Sequence, residues 1–254
     1  MLIDTHCHLD AAEFADDRSA QIDAARAAGV GRFLVPAVDA GNLDAVAALS
    51  AAHADCRHAF GIHPMYVARA QADDLERIRS RLADGSAVAV GEIGLDAYVP
   101  DGDLPRQTEF FEAQLRLART FDLPVVLHIR RAQDAVLGAL RRIRVRGGIA
   151  HAFNGSRQQA EAFIGLGFKL GFGGAMTYSG SRRIRELAAT LPLDALVLET
   201  DAPDIPPAWA ARQRNLPANL RRIAAELAAL RGMDEAELIA ATGRNAVAVI
   251  AGLR

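Results

Sequence analysis

Short apolar runs alternate with amphipathic helical patterns almost from end to end, which restricts the chain to folds built on a parallel sheet with helical crossovers. Strands are predicted at Leu2–Ile3, Phe33–Val35, His58–Ile62, Val88–Gly91, Pro124–Leu127, Gly148–Ala150, Phe168–Phe172 and Leu196–Leu198. The first helix covers roughly Asp17 to Ala28 and stops at Gly29. The next begins near Asn42, and Leu75, Ile78 and Leu82 mark a third. Pro105 suits a first helical turn and is followed by Phe111, Leu115 and Ala118 on one face. Val136, Leu140 and Ile143 recur on another helix, with Arg141, Arg142 and Arg144 suited to its carboxyl end. Ser156 with Gln159 forms a capping-box pattern, and Ile184, Leu187, Ala188 and Leu191 precede the helix breaker Pro192. A last helix, Asp234 to Ile250, is expected to pack outside.

Eight such units in 254 residues, with no linker, point to one domain spanning 1–254: a closed (β/α)8 barrel of the TIM type. An open doubly wound sheet has the same local pattern. It would not gather all eight strand ends around one mouth.

The strand ends carry the chemistry. His6 and His8 follow strand one, His63 strand three, Glu92 strand four, His128 strand five, His151 strand six and Asp201 strand eight. Each alone has an ordinary explanation: a surface pair, a hydrogen-bonded core histidine, an aspartate opening a turn before Ala202 and Pro203. Together they are harder to dismiss, because five of the seven histidines fall at strand ends and only His53 and His58 do not. His6 and His8, two apart in an extended segment, share a face. Glu92 is read as ending its strand, with Gly91 and Gly94 bracketing a turn. No Lys or Arg occurs between Arg81 and Arg106, so a buried Glu92 would need another cation, whereas an exposed one would simply face water on a loop. Four histidines, a glutamate and an aspartate suffice for two divalent cations about 3.5–4 Å apart, with Glu92 as the natural bridge. Imidazole donors favour zinc, manganese, cobalt or iron over magnesium.

Composition bounds the partners. The net charge of −2 provides no global field for a polyanion, so any nucleic acid must be held locally. Two cysteines make no disulfide framework, and no apolar stretch approaches a membrane span; a reducing cytoplasm fits.

The blocks Asp4-Thr5-His6-Cys7-His8-Leu9-Asp10, Gly61-Ile62-His63-Pro64, Gly91-Glu92-Ile93-Gly94-Leu95-Asp96, His128-Ile129-Arg130, His151-Ala152-Phe153-Asn154-Gly155-Ser156 and Glu199-Thr200-Asp201-Ala202-Pro203 resemble, in order, the TatD family of metal-dependent deoxyribonucleases. The resemblance implies a distorted barrel of the amidohydrolase type that hydrolyses phosphodiester bonds in DNA. It implies one metal on His6, His8, Glu92 and Asp201 and another on Glu92, His128 and His151, with Asp201 as proton acceptor. The chain departs from the family at Arg131, where Asp is common, at Ala152, where Cys is frequent, and along Asp204–Trp209.

Cleavage at phosphorus requires a hydroxide at neutral pH, which a metal can generate, and fixed cations around the phosphoryl oxygens. Arg130 and His63 are candidates for the latter; Asn154, Arg214 and Trp209 are candidates for touching nucleotide, with Trp209 as a stacking surface. Arg130 could equally hold a salt bridge on the rim. A concave mouth favours single-stranded ends over intact duplex, hence exonuclease action and weak, sequence-independent DNA binding. A rival reading is an amidohydrolase acting on a C–N bond of a small molecule. Binuclear enzymes of that kind often bridge their metals with a carboxylated lysine after strand four, whereas the sole lysine here, Lys169, lies on strand seven. A barrel that binds metal without catalysis is the third reading, against which the intact ligand set argues.

Overall fold

The computed structural model describes residues 1–99 and 102–254. Eight parallel strands follow one another around the sheet in chain order: β1 (Leu2–Asp4), β2 (Val30–Pro36), β3 (Cys56–Phe60), β4 (Ala89–Asp96), β5 (Val125–Arg130), β6 (Gly148–Ala150), β7 (Phe168–Phe172) and β8 (Leu196–Leu198). Helices α1 (Arg18–Ala27), α2 (Leu43–Ala52), α3 (Ala72–Ala83), α4 (Leu104–Thr120), α5 (Gln133–Arg142), α6 (Arg157–Gly165), α7 (Arg182–Thr190) and α8 (Leu220–Arg231) follow the strands in turn, and α9 (Glu235–Val249) is additional. The seam between β8 and β1 closes just past the strands, where Thr5 N–H donates to Leu198 O (3.0 Å), Asp201 N–H to His6 O (2.8 Å) and His8 N–H to Ala202 O (2.7 Å). The chain is a (β/α)8 barrel of the TIM type with an extra carboxyl-terminal helix.

Two apolar layers hold it. Strand side chains facing outward pack with the surrounding helices, the largest buried groups of this layer including Phe33 of β2, Phe111 of α4 and Phe163 of α6. Inside the barrel Ile3, Leu34, Ala59, Ala89, Val126, Ile149 and Val197, from seven strands, meet Ala246, Val249, Ile250 and Leu253. The last helix does two things: Leu238 and Ile239 join the outer layer beside α8, as expected of a helix packed outside, while its carboxyl-terminal end and the turn after it bring Ala246, Val249, Ile250 and Leu253 onto the interior layer at the amino-terminal mouth.

Other expectations need correction. β4 does not turn at Gly91–Gly94; it runs on to Asp96 and pairs with β5 through a register shift between Val90 and Ile93. Glu92 thus points from within a strand. Likewise β5 continues through His128 to Arg130, and β3 begins and ends two residues earlier than predicted. Helix α8 was not foreseen, although Leu220, Ile223, Ala224 and Leu227 share its buried face and Gly232 closes it at φ +63°. The acidic loop after β4 lies partly outside the described residues, at Pro100 and Asp101; its Asp103 accepts from Arg106 N–H and caps α4.

Candidate metal centre

His6 and His8 lie in the extended segment after β1, and their Nε2 atoms face each other at 3.2 Å. His63 caps the 3₁₀ turn Pro64–Arg69. Glu92 and His128 project from neighbouring strands β4 and β5, while His151 follows β6 directly and Asp201 lies three residues past β8. All six candidate metal ligands and His63 meet at the carboxyl-terminal mouth.

Glu92 is the centre of this cluster and only 1% exposed. Its Oε2 lies 3.1 Å from His6 Nε2 and 3.6 Å from His8 Nε2. Its Oε1 lies 3.1 Å from His128 Nδ1, 3.4 Å from His63 Nε2 and 3.7 Å from His151 Nε2. Asp201 Oδ1 is 3.5 Å from both His6 and His8 and 4.0 Å from His151. Each of three groups, His6–His8–Asp201, His6–Glu92–His151 and His63–Glu92–His128, brings its donor atoms within 4.8 Å of one another, close enough to share an ion. Glu92 is therefore a buried carboxylate among imidazoles, not a loop residue in water.

The outer hydrogen bonds decide which nitrogens are free to ligate. His128 Nε2 faces Asp96 Oδ2 at 3.0 Å, which leaves Nδ1 as the nitrogen turned toward Glu92 and the centre. His151 Nδ1 faces Glu199 Oε1 at 3.2 Å, which leaves Nε2 for the centre. His63 is the reverse. Its Nδ1 accepts from Met65 N–H (3.2 Å), so Nε2 carries the proton and is turned toward Glu92 Oε1.

Electrostatics follow from crowding. Burial opposes charge on Glu92, but His6, His63 and His128 around it hold its carboxyl well below the usual range. Asp201 is likewise held down, against burial, by His151 and His8. Burial opposes the charge on His8 as well, yet Asp201 carries it up to about 9. His151, against the same penalty, is carried up to about 10 by Asp201 and Glu199.

Several positioning groups were not singled out from the sequence. Asp96 and Glu199 stood inside recognised blocks without a role. A Cβ at Gly171 would overlap the Glu199 carboxylate, and Ala152, at φ +43°, turns its N–H onto Glu199 Oε1 (2.5 Å). Asp4 joins the ends of β1 and β8: Oδ1 accepts from Thr200 N–H (2.9 Å) and Oδ2 from its hydroxyl (2.6 Å). Gln107 and Gln114, polar residues on the buried face of α4, clamp both backbone groups of Asp96 and of Ile62. That polar interruption of an apolar face was the available signal. Asn215 pins the Asp201 loop through Thr200 O (2.7 Å) and Ile205 O (3.2 Å).

The predicted rim contacts divide. Arg130 is exposed beside β4, its guanidinium 3.8 Å from the Tyr98 ring centre. Asn154 is exposed on the β6–α6 loop and accepts from Arg183 (2.7 Å). Arg214 is not brought to the cluster, because its guanidinium binds Asp17 and Glu13 O. Trp209 is also engaged elsewhere: its indole N–H donates to Asn219 (3.1 Å) and Arg222 covers the ring at 4.0 Å. Lys169 donates to Asp194 O (2.6 Å) and takes no part in the centre.

The sequence matches the TatD related DNase family over residues 3–251. It is 42% identical over 246 residues to the uncharacterized metal-dependent hydrolase YjjV of Escherichia coli K12, covering 96% of this chain and 95% of that one. It is 33% identical over 254 residues to a protein of Erwinia tasmaniensis named 3'-5' ssDNA/RNA exonuclease TatD, covering 96% and 98% respectively. The crystal structure of the Escherichia coli YjjV protein superposes with a TM-score of 0.96 at 40% identity, over 98% of each chain. A family match over nearly the whole chain, on a barrel whose mouth gathers imidazoles around buried carboxylates, places this chain in the TatD related DNase family of metal-dependent hydrolases.

Proposed function

We propose that residues 1–254 act as one hydrolase domain that cleaves phosphodiester bonds at single-stranded DNA ends. His6, His8, Glu92 and Asp201 would hold one divalent cation, and Glu92, His128 and His151 a second. The observation that carries this reading is the division of Glu92, whose two oxygens face two different sets of imidazoles. The donor set suits zinc, manganese or cobalt better than magnesium. When bound, such ions supply Lewis acidity and bring the pKa of water toward neutrality.

The chain's own groups supply the rest. Asp201, kept ionised by His8 and His151, accepts the proton of the attacking water and can return it to the leaving oxygen. His63 donates its Nε2–H to a phosphoryl oxygen as charge builds there, and Arg130 offers a planar fork at the mouth. Asn154 lies on the same rim, where it can meet the nucleotide. Asp96 and Glu199 keep His128 and His151 turned inward throughout. A relative named as a single-strand exonuclease supports the substrate class. So does the concave mouth, which a strand end enters more readily than the interior of a duplex. Two buried free cysteines suit a reducing cytoplasm.

The test compares end-labelled single-stranded DNA with closed circular duplex, before and after chelation and with manganese, cobalt or zinc restored. Cleavage of the single strand that disappears with chelator and returns with metal is expected. Equal cleavage of both substrates, or full activity in exhaustively chelated protein, would overturn the reading.

A further inference from the structure

We infer that Arg130, Arg131 and Tyr98 form a second anion site at the mouth, which takes the phosphate flanking the scissile one in a nucleic-acid strand. The choice of ligand rests on the phosphodiesterase reading above; the anion site itself rests on geometry. Consecutive residues of an extended strand point to opposite faces. Arg131 does not follow that rule, because its φ of +53° lies in the left-handed region that side chains rarely adopt. Its guanidinium is thereby brought to 4.4 Å from the centre of the same Tyr98 ring that Arg130 covers at 3.8 Å. Both arginines are exposed, and Tyr98 is 46% exposed. Two like charges thus converge on one aromatic ring.

Among the described residues no carboxylate lies within ion-pair distance of either guanidinium. Asp96, across the strand pair from Arg130, is committed: Oδ1 accepts from Tyr98 N–H (2.8 Å) and Oδ2 from His128. The ring attracts both guanidiniums by cation–π interaction, which leaves their N–H groups to meet a ligand. Two forks with ten donors between them fit a tetrahedral phosphate better than a planar carboxylate. The offset from the metal centre is fixed as well. Tyr98 is tied through Asp96 to His128, and Ala97 N–H donates to Arg130 O at 2.8 Å. Strand phosphates repeat at a regular spacing, so one seated at the centre places its neighbour at a defined distance.

The experiment uses manganese-loaded protein and a fluorescent single-stranded oligonucleotide whose terminal linkage is a slowly cleaved phosphorothioate. Neutral methylphosphonates replace the other linkages one at a time, and binding is read by anisotropy. One replacement beside the terminal linkage should weaken binding about tenfold, the scale of a lost charge-assisted phosphate contact. Arg131→Gln should weaken the unmodified strand similarly and become indifferent to that replacement. Arg144→Gln, which removes the same charge beyond the far end of α5, should retain the sensitivity. Independent, additive losses, or no sensitive position, would overturn the inference, as would failure of the wild-type protein to bind the strand. If coupling appears but no phosphodiester is cleaved, the proposed function falls and the anion site stands; if cleavage occurs without coupling, only the anion site falls.

Discussion

At the scale of single residues, the centre depends on groups one bond removed from it. Glu199 and Asp96 fix the tautomers of His151 and His128, and an anionic acceptor there also makes the imidazole a stronger donor to a cation. Glu199→Gln should therefore lower metal affinity roughly ten- to a hundredfold while the fold persists. Competition against a chromophoric chelator measures this, and unchanged affinity would show that Glu199 merely fills space. The same residues set a pH dependence. In ion-free protein, His8 and His151 are raised from 6.5 to about 9 and about 10, so they hold protons at neutral pH that an incoming cation must displace. Metal loading should release protons, and affinity should weaken as pH falls. Stability moves the other way. A raised histidine pKa contributes stability that is complete below the unfolded value and is lost as pH rises through the folded one. The unfolding midpoint of ion-free protein should therefore fall between about pH 7 and 10, whereas metal-loaded protein, whose ligands are already deprotonated, should change less. Parallel melts of the two forms across that range test this.

At the scale of elements, the two mouths of the barrel divide the work. The carboxyl ends of the strands gather the candidate ligands, and α9 with the 3₁₀ turn after it seals the other end through Val249, Ile250 and Leu253. Leu253 is fully buried, so Leu253→Ala should cost about 2–5 kcal/mol in denaturant unfolding, by lost burial plus a residual cavity, without changing metal content. A loss of metal in the folded variant would contradict this division. Most elements were legible because their apolar periods differ cleanly: β6, β7 and β8 fall on the predicted residues, and the Ser156–Gln159 capping box opens α6 as read. The failures have physical causes. Gly91 and Gly94 looked like turn residues, but they are glycines because the chains run too close for a side chain: a Cβ at Gly91 would strike Val126, and one at Gly94 the backbone of His128. Where the end of α9 turns depends on which end of the barrel lacks a cover, a tertiary fact with no local signature. Of the candidate ligands, His6, His8, His151 and Asp201 lie past strand ends as read, whereas Glu92 and His128 project from within β4 and β5. The orienting carboxylates were not legible, since their function lies in the imidazole nitrogen they face and spacing does not show that. Arg214 and Trp209 illustrate the converse: suitable residue types on a suitable loop, drawn instead to Asp17 and Asn219.

At the scale of the whole molecule, a net charge of −2 provides no global field for a polyanion, so on the proposed function binding of a nucleic acid comes from local contacts. Affinity for single-stranded DNA should be modest and fall steeply with salt, with a slope reflecting only a few phosphate contacts. A shallow salt dependence in an anisotropy titration would point to recognition of another kind. The centre itself is tested most directly at Glu92, by measuring metal content and turnover side by side in the wild type, in Glu92→Gln and in the exposed control Glu109→Gln. The amide keeps the shape of the side chain but removes the anionic oxygens that face both sets of imidazoles. Glu92→Gln should lose bound metal and at least roughly a hundredfold in turnover, the scale of several kcal/mol of lost transition-state stabilisation, while Glu109→Gln matches the wild type. A folded Glu92→Gln protein that keeps its full metal content and near-normal turnover would contradict the account.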